Sequence, residues 1–399
     1  MKMLFISLLL PHPSADHASA FFGYQLIRRL SQRHDISLIS FIRSEEERLF
    51  VRDLEPYCRK VETVVLPQTP SQRFWARANL VTLRPISVSS GYCREMRDRI
   101  RRMVQEERFH IVQIEYTPMG QYISEIIDSS CIIYAPDLVF ITARRFTENI
   151  AFSRKKLEWF IDSLISRRYE ARLYAKFDHI LAVSQKIKEN LLACNPSLKI
   201  SVIPIGVDIP RSQKQHVPGQ ARHLIFMGAM WRLENIDAVL YFHRYIFGLI
   251  RNAISDVTLT ILGGNPPEEI RSLARDPAIR VTGYVEDLLP FYLESDISIA
   301  PMRIAGGVMC KILDAMAVGL PVISTPQGNE GVGAKPGEEI VLANSPEEFA
   351  RSTIELLREG HLRTTLGKNG FEFVQRNFSW ERIIMKLENV YQECLSFRH

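Results

Sequence analysis

No run of eighteen or more consecutive apolar residues occurs in this chain, so nothing in it reads as a membrane-spanning helix. Its six cysteines, Cys58, Cys93, Cys131, Cys194, Cys310 and Cys394, stand far apart and make no CxxC pair. That speaks against a disulfide framework or a clustered zinc site and fits buried free thiols in a reducing compartment. The ten histidines include no HExxH spacing, and no DxD-type carboxylate pair stands out to hold a divalent ion. No metal site and no cofactor is therefore expected. No basic-and-aromatic recognition motif accompanies the positive charge, which speaks against nucleic acid.

What is present is an ordinary globular composition, 46% hydrophobic and 24% charged, over 399 residues. A chain of that length is expected to form two domains. The net charge of +5 is uneven: residues 1–210 hold 30 Lys and Arg against 23 Asp and Glu, the remainder 20 against 22. A solvated Arg-rich surface accounts for this. So does a surface that meets anionic lipid or an anionic acceptor.

The opening stretch, MKMLFISLLLPHPSADHASAFF, has two readings. A lysine, an apolar run and Ala18-Ser19-Ala20 resemble a secretory signal. Equally, Lys2–Leu10 fits the first strand of a parallel sheet, with a helix over Phe21–Arg33. The following chain favours the strand. Short apolar runs at 35–41, 60–67, 110–116, 131–137, 179–184 and 199–208 alternate with helical patterns at about 44–58, 90–107 and 151–177. Strands alternating with helices mean βα units. The 151–177 helix mixes Arg154, Lys155, Lys156, Arg167, Arg168, Arg172 and Lys176 with Trp159, Phe160, Ile161, Leu164 and Tyr169. It reads as one core-facing stripe and one solvated basic face, or as a basic face at a membrane surface.

A polar stretch with two prolines, 210–220, reads as a linker between an N-terminal domain, 1–209, and a second domain, 221–376. The second alternation has strands at 223–228, 257–264, 279–285, 297–302, 321–326 and 339–343. Its helices are expected at 234–251, 267–274, 287–294 and about 310–318, and from 345 onward. The expected architecture is α/β: two Rossmann-like parallel-sheet domains facing a cleft, with a C-terminal helix, 377–399, packing back on the first. Ligands in such sheets bind beyond the carboxyl ends of the strands.

The stretch APMRIAGGVMCKILDAMAVGLPVISTPQGNEGV, 300–332, concentrates the candidate chemistry. Gly306 and Gly307 precede a helix start, where backbone N–H groups and the helix dipole favour a phosphate. Arg303 and Lys311 supply full positive charges beside it. Asp314, one turn on, can accept both hydroxyls of a ribose.

This stretch resembles the nucleotide-sugar site of the GT-B glycosyltransferases, specifically the large retaining family numbered four. Segments at 180–191, 202–208, 226–242, 261–270, 281–292 and 377–383 follow that family's order and spacing. The subset most similar contains transferases of bacterial surface-polysaccharide and exopolysaccharide clusters. The resemblance implies a metal-independent transfer of sugar from a nucleoside diphosphate to a glycan or lipid-linked acceptor, with retention. The strand reading of the opening segment and the free thiols point to a cytoplasmic protein, and the basic N-terminal half fits peripheral contact at the inner membrane face. Asp314 stands where the family binds ribose, and Tyr284 and Val285 where its backbone meets the base. Gly228 opens the loop where many members grip the pyrophosphate with an Arg and a Lys; here those positions read Ala229 and Glu234. Arg232, Arg303 and Lys311 are the candidates to replace them. Gly306 occupies the place of a donor-sugar glutamate, and Ile205 that of an asparagine before Gly206-Val207-Asp208. Polar candidates on the acceptor side are His12, His17, Glu115 and Asp137, of which Asp137 follows a strand most directly. Alternatives to a transferase are a non-catalytic nucleotide-sugar-binding or scaffold member of this fold, and a nucleotide-sugar epimerase.

Overall fold

The computed structural model describes residues 1–15, 18–66, 83–149, 154–210, 222–304 and 307–396. The chain divides into two units, Met1–Pro204 with Ile383–His399, and Ile205–Arg382. This division falls before the expected boundary at 209, so Gly206-Val207-Asp208 belongs to the second unit. The return to the first unit comes at Ile383 rather than 377. Apart from Pro210, the linker expected over 210–220 lies outside the described residues.

In the first unit seven strands form one parallel sheet: β1 (Lys2–Ser7), β2 (Asp35–Ile42), β3 (Lys60–Val65), β4 (Ile111–Glu115), β5 (Ser130–Ala135), β6 (His179–Ala182) and β7 (Ile200–Val202). Their order is β3-β2-β1-β4-β5-β6-β7. The opening apolar run is thus a central strand. It pairs through Met3 with Ile36 on one side and with Ile111 on the other. Burial on both faces explains why it lacks alternation. The second unit repeats the plan in β8 (His223–Met227), β9 (Thr258–Leu262), β10 (Ile279–Val281), β11 (Ile297–Ala300), β12 (Val322–Ser324) and β13 (Val341–Leu342), ordered β10-β9-β8-β11-β12-β13. In each sheet the first strand has a neighbour on either side whose connection leaves in the opposite direction. That switch point, β1 with β4 and β8 with β11, leaves a crevice at the strand ends.

Some helical expectations differ from what forms. Residues 44–58 hold a 3₁₀ helix, Glu45–Asp53, rather than an α-helix. Three adjacent glutamates and no buried residue leave it little packing to lengthen it. The 234–251 helix is Leu233–Phe242, one wider π-turn at His243–Phe247, then Gly248–Ala253. The last run ends at Val202, since Pro204 cannot donate to a ladder. All six cysteines are free, and Cys58, Cys93, Cys131 and Cys394 are buried.

The C-terminal helix, Trp380–Ser396, buries Ile383, Leu387, Tyr391 and Cys394. From Ile383 on it belongs to the first unit. There the Tyr391 hydroxyl donates to the Gln113 side-chain carbonyl inside β4, and Arg33 pairs with Glu388 at 2.7 Å. Replacing Tyr391 with Phe strands the Gln113 acceptor in the interior. The expected loss is about 1–3 kcal/mol, measured as a lower urea midpoint with unchanged slope.

Candidate functional site

At the end of β8 the chain turns at Gly228. The loops after β8, β9 and β10 are tied together by backbone bonds: Gly228 N–H to Leu262 O at 2.9 Å, Met230 N–H to Gly264 O at 3.0 Å, and Gly263 N–H to Gly283 O at 3.1 Å. The approach is so close that a Cβ on Gly263 would sit 1.8 Å from the Gly228 carbonyl oxygen, and Gly263 also has φ +152°. Asn235, in the first turn of the Leu233–Phe242 helix, closes the loop by donating from Nδ2 to Ala229 O at 2.9 Å. A Cβ on Gly228 would lie 2.8 Å from the Asn235 amide.

Lys311 comes from the other side of the switch point, on the Cys310–Ala317 helix that follows β11. Only 8% exposed, it donates from Nζ to Asn235 Oδ1 at 2.5 Å. The ammonium lies 4.3 Å from the Phe226 ring centre and 3.7 Å from Met302 Sδ. Burial pushes its pKa down to about 7, with Glu234 opposing the shift and Arg232 adding to it. A buried lysine with so little to replace its hydration favours an anion placed beside it.

Arg232 and Arg303, the other expected phosphate contacts, are engaged within the fold. Arg232 pairs with Glu234 at 2.5 Å. Arg303 makes two bonds to Asp237, one of 3.0 Å, and lies over the Tyr241 ring at 4.6 Å. To meet a phosphate each must exchange a carboxylate for it.

One turn beyond Lys311, burial raises the Asp314 carboxyl to about 7, and Asp208 adds to the rise. Beside Asp314 the Tyr292 hydroxyl is buried without a hydrogen-bond partner, and burial raises its pKa well above the usual value. The turn that holds Asp208 is anchored by Val207 N–H to Phe378 O at 2.8 Å. A Cβ on Gly206 would fall 2.4 Å from the Trp380 indole. Tyr284 is 78% exposed, with its Cβ 3.5 Å from where a Cβ on Gly264 would be; Val285 beside it is half-buried. Gly307 has φ +71°, and its carbonyl oxygen would be 2.0 Å from a Cβ on Gly331. Gly306 lies outside the described residues. The structure therefore brings Gly228, Lys311 and Arg232 together around Asn235, and Arg303, in the loop after β11, is tied to the same helix as Asn235 by its pair with Asp237. It sets Asp314, partly buried, apart from these, beside the buried Tyr292 and near the exposed Asp208.

In the first unit Glu115 ends β4, 6% exposed, and accepts from Gln113 Nε2 at 2.6 Å. Burial raises its carboxyl to about 7. It lines a hollow at the end of β1 with Ser7, Pro11, Ser19 and Gly23. His12 stacks on Phe50 with ring centres 4.1 Å apart; His17 lies outside the described residues. Asp137 sits just past β5, partly buried. The helix that follows it, Val139–Asn149, is capped from afar: Val139 and Phe140 N–H donate to Glu170 at 3.2 and 3.3 Å, and Thr117 Oγ1 donates at 3.1 Å. Burial raises the Glu170 carboxyl to about 8.

Asn235, Tyr292 and Glu170 were not marked by the sequence. Asn235 alone had a signal, a polar side chain in the first turn after a glycine loop. Among the described residues no three His, Cys, Asp or Glu side chains gather as metal ligands, and no helix is long and apolar enough to cross a membrane.

Two outcomes follow from the Lys311 and Gly263 geometry. The unfolded chain keeps the Lys311 proton up to about 10.5, whereas the folded chain releases it near 7. The folded state thus binds fewer protons between those values, and stability rises with pH across that window and is lost as pH falls through about 7. Lys311→Met should flatten this dependence in denaturant titrations run from pH 6 to 9. Gly263→Ala must move the Gly228 carbonyl and should cost about 2–4 kcal/mol, read as a lower urea midpoint.

The model for glycosyl transferases group 1 matches residues 221–359, and that for Glycosyltransferase Family 4 matches residues 22–211. A Klebsiella pneumoniae protein, described as an uncharacterized 44.6 kDa protein in the cps region, is 23% identical over 97% of this chain and 98% of its own. A GDP-mannose-dependent alpha-(1-6)-phosphatidylinositol monomannoside mannosyltransferase of Mycobacterium tuberculosis is 30% identical over 49% of this chain and 56% of its own. Among solved structures, the sucrose-phosphate synthase of Thermosynechococcus elongatus superposes with a TM-score of 0.74 at 16% identity, covering 99% of this chain and 100% of its own. Two doubly wound sheets, a buried lysine behind a glycine loop and matches along both units together place this chain among the group 1 glycosyltransferases of the GT-B fold.

Proposed function

We propose that this chain transfers a sugar from a nucleoside diphosphate to a glycan or lipid-linked acceptor, with retention and without a protein-held metal. The carrying observation is Lys311, buried at the β8–β11 switch point with only neutral groups against its ammonium among the described residues: the Asn235 amide oxygen, the Phe226 ring and the Met302 sulfur. The donor diphosphate lies over Gly307 and the first turn of the Cys310–Ala317 helix, where N–H groups and the Lys311 ammonium meet its charge. Asp314 accepts the ribose hydroxyls, and the loop at Tyr284 and Val285 receives the base.

In the transfer step the bond between the anomeric carbon and the diphosphate oxygen breaks, and its electrons stay on that oxygen. Lys311, protonated by the approach of the diphosphate, stabilises the departing charge, and Arg303 joins it on leaving Asp237. Fixed charge in a dry site is often the largest catalytic contribution. The acceptor hydroxyl bonds to the anomeric carbon, and its proton passes to the departing phosphate oxygen. No strong protein base is then required. Acceptor recognition falls to the first unit, with Asp137 as the candidate contact. A carboxylate pair on each arginine favours a second reading, a member that binds nucleotide sugar without turnover.

A thermal-shift panel of UDP, GDP, ADP, TDP and CMP, with Mg²⁺ or with EDTA, tests both. One diphosphate should stabilise the protein in EDTA, by about 2.7 kcal/mol at 100 times its dissociation constant. Lys311→Ala should abolish that shift. The matching nucleotide sugar should then label a glycan or lipid fraction, with the donor's anomeric configuration kept by NMR. Binding without labelling supports the second reading; no shift with any nucleotide overturns both.

A further inference from the structure

The Arg154–Tyr174 helix has an inner and an outer face of opposite character. Inward it buries Asp162, Ser166, Glu170 and Tyr174. Asp162 accepts from Ile86 N–H at 3.0 Å, and Glu170 caps the Val139–Asn149 helix beside Asp137. Outward, Leu157, Phe160 and Leu164 are 56%, 51% and 57% exposed. Spacings of three and four put them on one stripe, and Arg167, Arg168 and Arg172 continue it, all exposed. At 3.6 residues per turn the six lie within about 140° of the helix circumference. Exposed large apolar side chains in a row on a regular helix serve no folding purpose and mark a contact surface.

We propose that this outer face docks the protein on an anionic lipid bilayer, with Leu157, Phe160 and Leu164 entering the interface and Arg167, Arg168 and Arg172 meeting the headgroups. Charge decides among occupants. The charged side chains along this stripe are all arginines. Two copies placed face to face would oppose arginine to arginine. The apolar stripe spans only about two turns, far short of the roughly 800 Å² per partner that a stable protein interface buries. A short apolar stripe beside clustered arginines is what an interfacial helix needs, because apolar burial and attraction to anionic lipid act together there. The proposal does not depend on the transfer reaction.

The test is flotation of the full chain with phosphatidylcholine vesicles, with and without phosphatidylglycerol, at physiological salt. The wild type should float with the anionic vesicles and stay behind with the neutral ones. Leu157→Ser, Phe160→Ser and Leu164→Ser combined should cut anionic binding at least about tenfold while the thermal midpoint holds, since these side chains are exposed. Arg167→Gln, Arg168→Gln and Arg172→Gln combined should remove the anionic preference, which keeps the test open if the serine variant folds poorly. Wild type that stays off anionic vesicles, or a folded serine variant that floats as well as wild type, overturns the proposal. So does a concentration-dependent dimer in sedimentation that the serine variant dissolves, because the stripe would then belong to a second copy.

Discussion

A lysine ammonium withdrawn from water must be held by something, and the second unit is arranged around how Lys311 is held. Burial costs its charged form several kcal/mol unless partners replace the lost hydration. The partners here are weak: one amide oxygen, an aromatic face and a thioether. The ammonium is therefore under-solvated, and the residues that hold it cannot drift. Asn235 spends its oxygen on Lys311 and its N–H on Ala229, which fixes the loop after β8. That loop presses on Gly263, whose own loop is tied to Gly283. Three strand ends are in this way referred to one charge. In the transfer proposed above, a diphosphate would complete the lysine's shell without moving any of them, which is what preorganisation means at the level of atoms.

The arginines form a contrasting layer. Arg303 is half exposed and shares its charge with Asp237 and the Tyr241 ring, and Arg232 with Glu234. Exposed pairs of this kind are worth little to the fold, so exchanging a carboxylate for a phosphate costs little. The candidate site thus combines one fixed, poorly solvated cation with two half-exposed, already paired ones. In the first unit the buried carboxyls follow the same logic with opposite sign. Glu115 and Glu170 are kept near neutrality by burial and hold backbone or amide groups in place.

Much of the strand plan was legible because a strand buried on both faces is an unbroken apolar run. Lys2–Ser7, Asp35–Ile42 and His223–Met227 all stand where their runs predict. Helices were less legible wherever packing decides the turn type, as at Glu45–Asp53 and the π-turn His243–Phe247. The close-packed loops of the second sheet were readable in part from the glycines, since Gly228 and Gly307 stand at tight turns there. Its wiring was not. Lys311 and Asn235 are 76 residues apart, Arg303 and Asp237 are 66, and Glu170 caps a helix that starts 31 residues earlier. Local spacing holds no record of such pairs. The unit boundary moved for the same reason: the Gly206–Asp208 turn is bound to Phe378 and Trp380, which come late in the chain.

The first unit is built from both ends of the chain, and this has a consequence for how the protein is made. Gln113, at the centre of the first sheet, finds its hydroxyl partner in Tyr391, 278 residues later, and the apolar side of the last helix packs on the unit whose first segment ends at Pro204. A ribosome releases Tyr391 after all of the second unit has emerged. The second unit, one continuous segment, can therefore close while the first still waits, with part of its apolar surface and an unsatisfied amide open to other nascent chains. Order of synthesis and order of completion run opposite here. The half that is translated first is the last to be finished.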